Sequence, residues 1–243
     1  MTLLIAGTDT EVGKTVLTTA FIAYWQTHRN LADLGVMKLM QAGEGDSELY
    51  QKLFDLQQPP ETLVPLYFQT PVAPPIAAAK EGVEIDLGKV WQALTQLQQT
   101  RKTVIVEALG GLGSPVTPEL TVADLARDWR LETVLVVPVR LGAIAQTVAN
   151  IALARQMRVS LQGIVLNCVT PEAESRVADW TPPELIQSLT QTPVLGIMPY
   201  LAATQDVAKL AQIAANLDLW GRLGSRSWAV GSRQSAIGKK LEL

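Results

Sequence analysis

Residues 2–15 read TLLIAGTDTEVGKT: an apolar run, a turn carrying Gly7, and Gly13-Lys14-Thr15. The usual phosphate-loop pattern is G-x-x-x-x-G-K-[ST]. Counting back five from Gly13 lands on Thr8 rather than Gly7, so this loop is one residue longer than the pattern. Its chemistry is the same. Gly7 and Gly13 let the backbone curl with its N–H groups turned inward, which makes an anion cradle. A helix beginning near Gly13 adds its positive N-terminal end. Lys14 is placed to reach the β and γ phosphates of a nucleotide, and the Thr15 hydroxyl to ligate Mg²⁺. A plain strand-to-helix turn is the alternative. Position decides for the nucleotide site: the loop follows the first strand and opens a long amphipathic helix.

The rest of the chain repeats that strand-then-helix rhythm. Apolar runs fall at 2–6, 34–37, 103–106, 132–138, 161–166 and 194–197. Several are apolar at consecutive positions, as in strands covered on both faces of a parallel sheet. Helices are expected near 13–28, 46–56, 86–101, 121–129, 143–157, 182–190 and 204–219. The expected fold is α/β: a doubly wound, mostly parallel sheet with helices on both faces, of the P-loop NTPase type. No internal repeat is present. The Pro-rich stretch from Pro59-Pro60 to Pro74-Pro75 reads as a loop over one end of the sheet. Residues 1–221 form the expected single domain, followed by a basic, flexible tail at 222–243.

Bulk composition narrows the function classes. The tail holds five basic residues and one acid, Glu242; removing them from 20 basic and 23 acidic residues leaves 15 and 22, a net of −7. An acidic body lacks the Lys and Arg excess that nonspecific nucleic-acid binding requires, so no nucleic-acid partner is expected. The lone Cys168 excludes an internal disulfide and fits a reducing cytosol. Neither a secretory leader nor a long apolar span is apparent, so a cytoplasmic protein without membrane attachment is expected.

In an open α/β sheet, ligands bind beyond the carboxyl ends of the strands. Lys38 follows the second apolar run, Asp46 lies in the polar turn GEGDSE, and Glu107 ends TVIV in the manner of a Walker B acid. GGLG at 110–113 follows and lets backbone approach a phosphate. Thr15, Asp46 and Glu107 together supply the oxygens that a Mg²⁺ site needs. A helix N-cap is the other role open to Asp46. Glu107, ending a buried strand, requires a partner in either case. His28, near a helix C-terminus, suits that end's partial negative charge and is not catalytic.

These pieces, taken in order, resemble the dethiobiotin synthase family. The resemblance rests on GTDTEVGKT, GVMKLMQAG, GDSE, VEALGGLGSPVT, TVADLA, PVRLGAI, GIVLNCV and GIMPYL, and it covers roughly residues 2 to 210. The longer phosphate loop is that family's own form. The resemblance implies an ATP- and Mg²⁺-dependent ligase that closes a cyclic urea on 7,8-diaminopelargonate with CO₂, through a carbamate and a carbamic-phosphoric anhydride. It implies catalytic roles for Lys14, Lys38 and Thr10. Nucleotide contacts are implied from Glu11, Val12, Gly13, Lys14, Thr15 and Val16, from Asp46 and Glu107, from Ala108, Leu109 and Gly110, and around the base from Asn167, Cys168, Pro199, Tyr200, Leu201 and Asp206. For Tyr200 a half-buried core aromatic is the other reading. Substrate contacts are implied from Thr10, Lys38 and Ala42. Leu141, Gly142, Ala143 and Ile144 would add contacts across a homodimer whose interface includes 142–157, a segment apolar nearly all round.

The chain departs from the family's pattern in three places. The lysine stretch, Lys-Pro-Val-x-Ser-Gly in the family, reads KLMQAG here, with Leu39 and Ala42. Gly-Ala-Gly-Gly after the acid reads ALGG, with Ala108 and Leu109, and Ala145 stands where an Asn often lies. A ligase acting on a different diamine or acid therefore stays open. So does a ParA- or MinD-like ATPase switch binding protein partners, although Asp9 occupies the position of that group's signature lysine. An amide-forming relative from cobalamin synthesis would need a further glutaminase domain, for which this chain is too short.

Overall fold

The computed structural model describes residues 1–218, so the expected tail at 222–243 lies outside the described residues. Six strands form one all-parallel sheet in the order β2-β5-β1-β6-β7-β8. They are β1 (Thr2–Gly7), β2 (Leu34–Lys38), β5 (Thr103–Gly111), β6 (Glu132–Pro138), β7 (Ser160–Asn167) and β8 (Val194–Met198). Two short strands, β3 (Gln41–Ala42) and β4 (Tyr67–Phe68), pair separately beside it.

Alternation along each strand divides the core in two. On β1, Leu4 and Ala6 enter one apolar cluster, while Leu3 and Ile5 enter the other. On β6, Leu135 and Val137 face the first cluster, and Val134 and Val136 the second. The first cluster is closed by α4 (Pro74–Glu81), α5 (Leu87–Thr100), α6 (Val122–Asp128), α7 (Ala143–Gln156) and α9 (Pro183–Thr190). The second is closed by α1 (Lys14–His28), α2 (Asp46–Leu53), α3 (Pro60–Leu63) and α10 (Val207–Ala215). A further short helix, α8 (Val177–Trp180), precedes α9. Leu17, Phe21 and Ile22 of α1 are fully buried, and each contributes about 1.5–3 kcal/mol relative to exposure. This is the doubly wound arrangement expected from the consecutive apolar runs.

Local chemistry sets the element ends. Thr121 and Asp124 form a reciprocal capping box at the start of α6. The Asp86 carboxylate accepts from the Gly88 and Lys89 N–H groups at the start of α5. β2 lies at the edge of the sheet, and Gln58 covers it. Its amide donates to the Val36 carbonyl at 2.7 Å and accepts from the Val36 N–H at 3.0 Å. That satisfies groups which would otherwise invite pairing with another chain.

Three expectations are corrected. The Pro-rich stretch is not a plain loop, because it holds α3, β4 and the start of α4, with prolines in the first turns of both helices. The second and last long helices are shorter than their apolar patterns, ending at Leu53 and Ala215. β5 does not stop at Glu107 but runs to Gly111, where Gly110 and Gly111 press against the phosphate loop. In α7, Ala143, Thr147, Ile151 and Ala154 are buried, whereas the equally apolar Ala145, Val148, Ala149 and Ala152 are exposed.

Candidate functional site

The chain order around β1 reverses between β5 and β6, so the loop after β1 lies at the switch point of the sheet. Gly13 caps α1 in the left-handed region, at φ 98°. A Cβ there would lie 1.9 Å from the Asn167 amide nitrogen. Both conditions admit only glycine. Asn167, at the end of β7, donates from Nδ2 to the Val12 carbonyl at 3.0 Å and ties the loop to that strand, two places along the sheet from β1. Glu11 also has positive φ, at 54°. Thr8 keeps a buried hydroxyl without a partner inside this loop.

Lys14 folds back over the loop, and its ammonium donates to the Asp9 carbonyl at 2.9 Å. Burial pushes its pKa down; the Glu107 carboxylate offsets part of that, and Lys38 adds to it. A group poised in this way gains a full charge partner when an anion enters the loop.

The acidic part of the site follows from strand register. Lys38 and Glu107 are direct partners on the adjacent strands β2 and β5, so their side chains stand side by side on one face. The Lys38 ammonium donates to Glu107 Oε1 at 2.7 Å and to Asp46 Oδ2. Thr15 Oγ1 lies 2.8 Å from Asp46 Oδ1 and 3.1 Å from Glu107 Oε1. Glu107 Oε2 accepts from the Tyr50 hydroxyl. Burial opposes the charged form of Lys38, but Glu107 and Asp46 outweigh it and hold its pKa above the usual lysine range. Burial likewise opposes ionised Asp46, and Lys38 followed by Thr15 outweighs it, lowering that pKa. Asp46 is not the cap of α2. Gly45 holds that position, and the Glu48 carboxylate accepts from its N–H.

Thr15, Asp46 and Glu107 thus converge as three oxygen donors beside the phosphate loop. Among the described residues no cluster of three His, Cys, Asp or Glu side chains forms a cage of its own. One or two carboxylates with a hydroxyl suit Mg²⁺, which completes its octahedron from nucleotide phosphates and water.

Next to this lies a cavity of about 340 Å³. Thr10, Lys38, Ala42, Asp46 and Leu109 line it, as do Met40, Gln41 and Glu44, the wall formed by Pro71, Val72, Ala73 and Pro74, and Ser114 and Pro115. The second group was not singled out from the sequence. The 71–74 wall was hidden because Pro-rich segments read as connection; its apolar character was the available signal. A larger cavity, about 450 Å³, lies between the end of α2 and α3 but shares no residue with the phosphate loop or the acidic cluster.

The remaining expected residues fall into four groups. Asn167, Cys168, Pro199, Tyr200 and Leu201 gather where β7 and β8 end; Cys168 N–H donates to the Met198 carbonyl at 3.0 Å, and Tyr200 N–H to Glu174 at 2.7 Å. Burial raises the Cys168 thiol pKa. Asp206 caps α10, accepting from the Lys209 N–H. Val12 and Ala108 bury their side chains fully in the core, while Val16 packs against the core from its edge. Leu141, Gly142, Ala143 and Ile144 open α7 and do not line the cavity; Leu141 is 73% exposed.

Comparison with known proteins identifies this arrangement. Residues 1–208 match a family model described as an AAA domain. The chain is 63% identical over 217 residues to the ATP-dependent dethiobiotin synthetase BioD of Gloeothece citriformis, covering 89% of this chain and 96% of that protein. It is 56% identical over 220 residues to the protein of the same name from Synechocystis sp., covering 90% and 93%. Among solved structures it is similar to a ParA family ATPase from Chlorobium tepidum, with TM-score 0.54, 14% identity and coverage of 90% and 96%. It is also similar to the MinC:MinD cell division complex of Aquifex aeolicus, with TM-score 0.51, 15% identity and coverage of 87% and 94%. At such identities the structural likeness carries the P-loop NTPase fold and not the switch function. The sequence relatives carry more, and on them the chain belongs to the family of ATP-dependent dethiobiotin synthetases, a family of ligases.

Proposed function

We propose that the enzyme converts 7,8-diaminopelargonate, CO₂ and ATP to dethiobiotin, ADP and phosphate in biotin synthesis. The observation that carries this reading is the placement of Lys38. It donates to the two carboxylates that meet the phosphate loop's Thr15, and it lines a cavity that combines the apolar 71–74 wall with the hydroxyls of Thr10 and Ser114. An aliphatic chain fits the wall formed by 71–74, and the polar end faces the loop. A substrate amine captures CO₂ as a carbamate, whose oxygen attacks the γ-phosphorus and displaces ADP. The second amine then attacks the carbamoyl carbon, closing the ring and expelling phosphate. Lys14 and Lys38 neutralise charge on the transferring phosphoryl group, and Thr10 orients the carbamate. Thr15, Asp46 and Glu107 would hold Mg²⁺, which supplies charge neutralisation between the phosphates. Incubating the protein with the diamine, bicarbonate, Mg²⁺ and ATP, and reading products by mass spectrometry, tests the reading; ATP hydrolysis without a cyclic urea would refute it.

Ala42 supports a finer expectation. It lines the cavity where the family's pattern has a serine. A missing hydroxyl costs about 1–3 kcal/mol when its polar partner is left unpaired, roughly 5- to 150-fold in affinity. A water in the space left by the smaller side chain reduces this. Ala42→Ser is expected to lower the diamine KM several-fold while the ATP KM stays within about twofold, because residue 42 touches the cavity and not the loop. Equal movement of both constants would show that the pocket is shaped for another substrate.

The same reading includes a homodimer. The exposed row of Leu141, just before α7, and Ala145, Val148, Ala149 and Ala152 on it is apolar, and a partner subunit covering it would bring 141–144 to the neighbouring cavity. Sedimentation at micromolar concentration is expected to show a dimer, and a fully active monomer would contradict it.

A further inference from the structure

Tyr50 takes no part in the chemistry above, yet it touches the site's most buried acid. α2 carries Asp46 and Tyr50 four residues apart, hence on one face. Asp46 engages Lys38 and Thr15, and the Tyr50 hydroxyl donates to Glu107 Oε2. The two oxygens of Glu107 therefore have different tasks. Oε1 meets the site through Lys38 at 2.7 Å and Thr15 at 3.1 Å, while Oε2 is held from the core side. The terminal torsion of a glutamate is broad and nearly two-fold. A carboxylate fastened by one oxygen alone turns about that bond and exchanges its two faces. Fastened by both, it keeps Oε1 aimed at the site. Tyr50 and Glu107 are each 0% exposed, so water has little access to stand in for the phenol. The ring itself is fixed in the apolar cluster formed with α1 and β2.

We propose that Tyr50 is a positioning residue, which locks the Glu107 carboxylate and fixes α2, with Asp46, against β5, so that the two acids keep one spacing for a divalent cation. This rests on the ATP and Mg²⁺ reading above.

The test titrates Mn²⁺, followed by electron paramagnetic resonance, into the full-length enzyme saturated with ADP, alongside steady-state turnover. Tyr50→Phe keeps the ring and removes the donor. Its Mn²⁺ Kd is expected to rise at least fivefold and its kcat to fall tenfold or more, with the diamine KM within twofold. Replacing Tyr50 by para-aminophenylalanine, which restores a para N–H donor, is expected to return both constants to within twofold of the wild type. A folded Tyr50→Phe enzyme with wild-type constants overturns the proposal, as does a para-aminophenylalanine enzyme that keeps the Phe constants. Loss of folding in either variant at 15 °C assigns the hydroxyl to the core and overturns it too. Failure of the wild type to bind Mn²⁺ with ADP, or to form the cyclic urea, instead counts against the functional reading.

Discussion

Lys14→Ala will lose turnover by about 10²- to 10³-fold, a loss typical of removing a principal charge contact to a transition state, and will still fold. The two halves of this expectation have separate causes. Among the described residues the Lys14 ammonium, lying over the loop, makes one hydrogen bond, to the Asp9 carbonyl. Burial already works against its charge. Deleting it removes one hydrogen bond, about 0.5–1.5 kcal/mol, and relieves that desolvation, so the two changes oppose each other. For a chain of this size the melting temperature should then stay within about 3 °C. The phosphates, by contrast, lose the cation that the loop is built to present. Circular dichroism melts and product assays on the same preparation read both quantities. Near wild-type turnover would remove the nucleotide assignment of the loop, and collapse of the fold would show that the lysine is structural.

The phosphate loop was legible because its requirements are local. Two glycines, a lysine and a hydroxyl in a short run, after a strand and before a helix, leave few other readings. Sheet architecture was legible for a similar reason: consecutive apolar residues can be buried only by cover on both faces. What the sequence does not display is register. Lys38 and Glu107 lie 69 residues apart and become partners only because β2 inserts beside β5. Their pairing turns three separate oxygen-bearing side chains into one cluster around a lysine. Tyr50 was invisible for the same reason, since a tyrosine on an amphipathic helix reads as core until the strand beneath it is known. The wall at 71–74 was missed differently. Proline supplied the signal for a connection, and here it starts a helix, where its missing N–H does no harm. Asp46 shows the reverse error of emphasis, because a plausible N-cap role was open and Gly45 with Glu48 fills it.

Lys38→Met should produce the largest combined effect, on both turnover and stability, and the stability effect has a defined pH dependence. Methionine keeps the length of the side chain and removes its charge. Turnover should fall by about 10²- to 10³-fold, the usual loss for one electrostatic contact to a transition state. Stability falls because Glu107, fully buried, and Asp46, about a third exposed, lose the cation paired with both of them and keep only the longer-range attraction of Lys14. Breaking a buried pair costs about 3–5 kcal/mol; the partial exposure of Asp46 discounts this to about 3 kcal/mol, or roughly 6–12 °C for this length. In the wild type, the raised Lys38 pKa means that its contribution is complete below the unfolded value, near 10.4, and is lost only above it. The lowered Asp46 pKa means that its contribution is complete above about pH 4 and is lost below it. Between pH 5 and 8 these groups therefore leave wild-type stability flat. In the variant, burial and like charge raise the pKa of the acidic pair in the folded state. The folded protein then binds a proton that the unfolded chain does not, and stability recovers as pH falls through the raised value. The gap in melting temperature between variant and wild type should thus narrow from pH 8 to pH 5. A gap that stays constant across that window would mean that the carboxylates are not held together, and that Lys38 acts on the substrate alone.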